Sequence, residues 1–224
     1  MRPELKAVVR AGGLAKGGGS QVFTHQGTAG QWSVVAGVIG MGPATARTAT
    51  TRVLSEGPFD HVMVVGIAGG LDPALPVGAL MVPSVVRLYP DGPPYEAHPV
   101  GGRAAGGTLM TTDGLFSDDD IWKPMTERGV GAVDMEAAGV AEACEQAGVP
   151  WSVYRGISDR PDEHIVDQAV FALSKPDGTA DFGAVGKYLA RDPRRARALA
   201  HLNRCMQTAA KVAADAAFAD LAAE

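Results

Sequence analysis

The sequence predicts an α/β fold, a mostly parallel or mixed sheet with helices on both sides, and three observations predict it. Short apolar runs alternate with helix-patterned segments along the chain. The run His61–Ile67 (HVMVVGI) is apolar throughout, as expected of a strand covered on both faces. A length of 224 residues, 46% of them hydrophobic, is enough for one large core, so residues 1–224 read as a single domain.

The elements follow in order. Leu5 to Arg10 reads as a helix directly after Met1-Arg2-Pro3-Glu4. Gln21–Thr24 and Trp32–Val38 read as short strands around a turn region at Gly27–Gly30. Pro43 stands at a first helical position after Gly42 and opens an Ala/Thr-rich helix stopped by Gly57-Pro58. His61–Ile67 is the buried strand, and Ala79–Leu88 adds one or two strands interrupted by Pro83. Asp91–Gly107 is Pro/Gly-rich and unpatterned, a surface loop. Leu109–Thr112 is a brief strand, and Asp118–Arg128 a helix with Pro124 inside it. Strand Gly131–Asp134, helix Met135–Ala147 and strand Trp151–Ile157 come next. The tail is helical from about Phe182 onward, broken at Asp192-Pro193.

Charge narrows the function classes. A net charge of −5 supplies no basic field for a nucleic-acid backbone, and the cluster Arg191–Arg197 reads as a solvated helix face. No apolar run approaches membrane-spanning length, and no signal peptide is evident, so a cytoplasmic protein with no membrane partner is expected. Cys144 and Cys205 fall in expected helices and read as reduced thiols. The five histidines have no ligand spacing with Cys or carboxylates, so no metal and no cofactor is expected. A serine nucleophile elbow is absent.

The most informative residues are Val133-Asp134-Met135-Glu136-Ala137-Ala138-Gly139-Val140-Ala141 and Arg155-Gly156-Ile157-Ser158-Asp159. Each stretch ends an apolar run with an acid near the point where a strand stops. Ligands of open α/β sheets bind outside the carboxyl ends of strands. Two carboxylates delivered there could serve one pocket, one holding sugar hydroxyls and one carrying a proton. Glu136 at a first helical turn also has a purely structural reading, since the helix dipole favours a carboxylate there. Asp159 could simply cap the turn before Pro161.

These stretches resemble the signature of the nucleoside phosphorylase and nucleosidase superfamily, in its purine-type branch. In motifs they are nearest to methylthioadenosine/S-adenosylhomocysteine nucleosidases. The resemblance implies a three-layer α/β sandwich around a central mixed, bent sheet. It implies that Met135 packs under the ribose and that Glu136 accepts from its 2′ and 3′ hydroxyls, which suits a group offering two acceptor oxygens. It implies that Asp159, beside Ser158, protonates the purine near N7 so that the base need not leave as an anion. Met1-x-x-Glu4 resembles the nucleosidase motif whose Glu activates water.

Three further segments join this picture. Gly37-Val38-Ile39-Gly40-Met41-Gly42-Pro43-Ala44 matches a dinucleotide fingerprint only loosely, with Thr45 in place of the third glycine. It more closely resembles the nucleosidase glycine turn, which puts Gly40 near the ribose. Thr111-Thr112-Asp113-Gly114-Leu115-Phe116 resembles the segment bordering the purine, with Leu115 and Phe116 against a flat base. Gly66-Ile67-Ala68-Gly69-Gly70-Leu71 resembles the superfamily's glycine run, with Ala68 and Gly69 letting a ligand approach the backbone. Phosphorylases carry an Arg two residues before that first glycine and a Ser or Thr just after it. Here those positions are Val64 and Ile67, which offer a phosphate dianion no side-chain donor.

The resemblance therefore implies hydrolysis of a purine nucleoside or 5′-modified adenosine. Phosphorolysis on the same frame and a non-catalytic nucleoside-binding relative are the alternatives. It also implies a homodimer. Beyond residue 165 it fades, which implies a specialised substrate. One departure concerns the start: relatives place a buried strand before the Met-x-x-Glu, and none is read here. Either the true start lies upstream or the sheet manages without that strand.

Overall fold

The computed structural model describes residues 2–17, 22–115, 119–160, 163, 166–173, 175, 179 and 181–224. The chain opens with α1 (Arg2–Ala11), β1 (Ala15–Lys16), β2 (His25–Ala29) and β3 (Trp32–Ala36). The three strands form their own antiparallel sheet, in the order β1-β2-β3. The expected strand at Gln21–Thr24 and turn at Gly27–Gly30 are corrected: Gly27 lies inside β2, paired with Val34. A side chain at Gly27 would lie 2.8 Å from Leu14, so this glycine marks a close approach within a strand and not a turn. Only Gly30 turns the hairpin, with a φ of 55° that favours glycine.

After α2 (Pro43–Leu54) comes β4 (Val62–Gly70), then β5 (Leu80–Met81), β6 (Val85–Leu88), β7 (Tyr95–Glu96) and β8 (Thr108–Thr111). The segment expected to be an unpatterned loop thus contains the short strand β7. There follow α3 (Asp119–Glu127), β9 (Val130–Asp134), α4 (Ala137–Ala147) and β10 (Trp151–Asp159). The chain ends with α5 (Gln168–Phe171), α6 (Phe182–Arg191) and α7 (Arg195–Ala222). None of the described helices is long and apolar enough to cross a membrane.

Among the described residues, seven strands make the main sheet, ordered β5-β10-β4-β9-β8-β6-β7. Pairs β10/β4, β6/β8 and β8/β9 are parallel, whereas β10/β5, β4/β9 and β6/β7 are antiparallel, so the sheet is mixed as expected. Helices flank it, with α1 against α7 and α2 against α4. Glycines set both approaches. A Cβ at Gly156 of β10 would lie 2.0 Å from the Ala209 carbonyl of α7, and one at Gly139 of α4 would lie 2.0 Å from the Pro43 carbonyl of α2. Val64, Val86, Leu109, Val140, Val153 and Ile157 fill the core.

The sheet lacks continuity at β4. This strand pairs with β10 from Val62 to Gly69, but with β9 only at Gly69 and Gly70. Among the described residues, its edge opposite β10 faces a mostly apolar cavity of about 250 Å³ and no strand; Trp32 and Val34 of β3 also line this cavity. Val62 donates to the Pro150 carbonyl, so alternation turns the amides of Val64 and Gly66 toward β10 and those of Met63 and Val65 into the cavity. We expect hydrogen exchange to follow that alternation, with Met63 and Val65 exchanging at least about tenfold faster than Val64, because no ladder partner among the described residues protects them. Uniform protection along β4 would contradict this edge.

Candidate active site

Four charged side chains converge at the middle of β4. Arg155 of β10 is 3% exposed and its Nη2 donates to Asp134 Oδ2 at the end of β9. The same nitrogen donates to Glu136 Oε2 at 3.1 Å, and Nη1 stands 3.9 Å from Glu4 Oε1 of α1. Glu4 Oε1 also accepts from the Ile67 amide at 2.9 Å, which fixes α1 to the outer edge of β4. Gly66 makes room for this group: a Cβ there would lie 2.3 Å from Glu4 Oε1 and 2.4 Å from Arg155 Nη1.

Glu136 was expected in the first turn of α4, but it is the N-cap residue, with φ −131°. Its side chain makes no capping bond and turns to Arg155 instead. The α4 start is served by Asp134, whose Oδ2 accepts from the Ala137 amide at 3.0 Å. Burial raises the Glu136 carboxyl to about 7; Arg155 opposes the shift, and Asp134 and Glu4 add to it.

A second group sits further along β4. The pairing of β10 with β4 shifts register between Ile157 and Asp159, so Ser158 is an extra residue. Such a bulge re-aims the side chains around it. The Ser158 hydroxyl donates to Asp159 Oδ1 and lies 3.3 Å from the Ala68 carbonyl. Asp159 Oδ2 would be 3.7 Å from a Cβ on Gly69. Burial raises the Asp159 carboxyl, the Ser158 hydroxyl lowers it, and Glu163 raises it further. From Gly66, beside Arg155, to Gly69, beside Asp159, is three strand residues, or roughly 10 Å.

The structure thus brings Glu4 and Glu136 together, and separately Asp159, Ser158, Ala68 and Gly69. Gly40, with φ 85°, lines the same cavity as Glu4 and Glu136; Asp159 does not. Met135 is half-buried between β9 and α4. The Leu115 carbonyl accepts from Gln168 Nε2 at 3.0 Å. Phe116, Asp118 and Pro161-Asp162 lie outside the described residues. The run Gly66–Gly70, expected to follow its strand, belongs to β4 itself, because β9 and β10 pair with it through Gly69.

Arg155, Asp134 and Thr111 are the residues that sequence reasoning left without a role. A signal was available, since Arg155 is the one cation in an otherwise uncharged run from Trp151 to Ser158. A buried guanidinium needs carboxylates.

The family model for the phosphorylase superfamily matches residues 2–101 and 94–190. The chain belongs to this superfamily. The match carries the resemblance past residue 165, where the motifs had faded. The chain is 30% identical to the 5′-methylthioadenosine/S-adenosylhomocysteine nucleosidase of Exiguobacterium sp. over 62% of its own length and 72% of that protein. It is 26% identical to the enzyme of the same name from Colwellia psychrerythraea, over 60% and 70%. Among solved structures, the futalosine hydrolase of Helicobacter pylori superimposes with TM-score 0.72 at 17% identity, covering 98% of this chain and 94% of that one. The Neisseria meningitidis nucleosidase in complex with methylthio-immucillin-A gives 0.72 at 18% identity, over 100% and 96%.

In this superfamily member, the raised Glu136 carboxyl has a consequence for stability. An acid whose folded pKa exceeds its unfolded one destabilises the fold when ionised. The penalty is absent below about 4.5, grows as pH rises, and is complete above about 7. Glu136→Gln is therefore expected to raise the melting temperature at pH 8 by several degrees, at roughly 2–4 °C per kcal/mol for a domain of this size. At pH 5 the gain should shrink toward zero. A lower melting temperature at pH 8 than that of the parent would contradict the assignment.

Proposed function

We propose that this chain hydrolyses the N-glycosidic bond of a purine nucleoside or a 5′-modified adenosine. The products are free base and the ribose derivative. Asp159 protonates the departing base, and burial suits it to hold a proton. Glu136, joined by the Met135 it follows, takes the vicinal hydroxyls. Glu4 accepts the proton of the attacking water as the anomeric carbon gains oxocarbenium character. Gly40, Leu115, Ala68 and Gly69 complete the walls, and Phe116 is a candidate for stacking on the base.

One observation carries hydrolysis over phosphorolysis: a single guanidinium, Arg155, is already faced by three carboxylates. A phosphate dianion brought there would meet these three carboxylates as like charge. The Ile67 amide is taken by Glu4, and Val64 is a core residue with no donor to offer. Water requires no such counter-charge.

Two similar proteins carry the name methylthioadenosine/S-adenosylhomocysteine nucleosidase, which supports an adenosine with a modified 5′ end. The test is a panel of nucleosides incubated with the purified chain, following released base. Release from 5′-thio-substituted adenosines in phosphate-free buffer is the expected result. No release from any purine nucleoside, with or without phosphate, would overturn the reading. A homodimer in the cytoplasm is the expected state of such an enzyme, and its mass in solution checks the first half of that.

A further inference from the structure

We infer that Asp134 is a positioning residue for the proposed hydrolysis. Through Arg155 it fixes where the Glu4 and Glu136 carboxylates stand and how much of the guanidinium's charge each receives. The inference rests on the hydrolytic reading above and extends it to a residue that cannot itself touch substrate, since the Asp134 side chain is 0% exposed.

Asp134 is held from three sides. Its Oδ1 accepts from the Thr111 hydroxyl at 2.6 Å, and its Oδ2 from the Ala137 amide at 3.0 Å and from Arg155 Nη2. The Thr111 hydroxyl in turn accepts from the Ala138 amide at 2.9 Å. Strands β8 and β9 and the start of α4 therefore determine the carboxylate's place, and the carboxylate determines that of the guanidinium.

The geometry of Arg155 separates this from a mere tie between β9 and β10. A tie would be best made by two parallel bonds from the guanidinium fork to one carboxylate. Here one nitrogen, Nη2, is shared between Asp134 and Glu136, Nη1 is turned toward Glu4, and the buried Nε has no partner. An unpartnered buried donor is costly and calls for an explanation. Arg155 is placed between acids at the expense of its own hydrogen bonding. Asp134 keeps it there, and also competes with Glu136 for its charge.

The described charged groups facing Glu136 are Arg155 from β10, Asp134 from β9 and Glu4 from α1. Removing the charge of Asp134 leaves more of Arg155 to the other two, so Glu136 ionises at lower pH. The test is Asp134→Asn, with kcat and KM measured across pH and melting temperature measured alongside. The expected result is a KM midpoint moved down by about one pH unit or more, with kcat/KM reduced at least about tenfold. A merely structural Asp134 would lower the melting temperature and leave the midpoint where it was. A midpoint within about 0.3 units and kcat/KM within about threefold of the parent would overturn the proposal.

Should the Asn variant fail to fold, Asp134→Glu keeps the charge and displaces it by one methylene. Its kcat/KM should fall about tenfold with the midpoint unmoved, and a value within about twofold of the parent would overturn the proposal. Failure of the hydrolytic reading itself would appear in the parent chain, as no base released from any nucleoside, and so is distinguishable from failure at Asp134.

Discussion

Asp159→Asn is expected to lower turnover by about two to four orders of magnitude, while nucleoside affinity changes only a few-fold. The asparagine amide fits the same space and can still meet the Ser158 hydroxyl, so the end of β10 should keep its bulge. What it cannot do is transfer a proton to the base. In the parent chain, burial raises the Asp159 carboxyl. The acid therefore stays protonated to higher pH than an exposed aspartate, and kcat should fall on the alkaline side as that proton is lost. The variant's residual rate should lack this limb. Retained turnover in a variant that still binds nucleoside would remove Asp159 from the chemistry.

Arg155→Met is expected to cost the fold about 3–5 kcal/mol, the loss typical of stranding buried charges without their partner. Methionine nearly matches the arginine stem in length, so packing between Gly66 and β9 is largely kept. The loss is electrostatic: Asp134, Glu136 and Glu4 remain together without the guanidinium that faces all three. Acids that are harder to ionise folded than unfolded destabilise more as pH rises, so the deficit should be larger at pH 8 than at pH 5. Chemical denaturation at both values checks this. An equal loss at both, or one below about 1 kcal/mol, would mean that the guanidinium is not what holds the acids together.

How far the sequence alone reaches can be judged from particular residues. The α/β alternation, the buried strand through His61–Ile67 and the break at Asp192-Pro193 are legible because hydrophobic period and proline chemistry are local. Pairing is not local. That β4 runs on through Gly69 and Gly70 depends on β9 crossing it there, and no feature of the glycine run itself announces that crossing. The hairpin is illegible for a similar reason: Gly27 is needed for the close approach of Leu14, thirteen residues earlier, and not for a turn.

The acids are legible one at a time, Glu136 and Asp159 near strand ends and Glu4 in a Met-x-x-Glu before a helix. Their grouping around Arg155 was not, because Glu4, Asp134 and Glu136 come from three elements whose meeting depends on sheet order. The capping role also shifted. A helix read from Met135 puts Glu136 in its first turn, yet Asp134 serves the helix start and leaves Glu136 to Arg155. Asp159 stands apart from the cavity that Glu4 and Glu136 share, at a distance along β4 that a nucleoside could bridge.

The most direct measurement is of where the oxygen on the sugar comes from. A substrate nucleoside is turned over in ¹⁸O-labelled water with inorganic phosphate also present, and the sugar product is analysed by mass spectrometry. Three carboxylates around one guanidinium predict free sugar carrying one labelled oxygen, at a rate indifferent to phosphate. Sugar 1-phosphate as the product, or base release that stops when phosphate is withheld, would contradict the account.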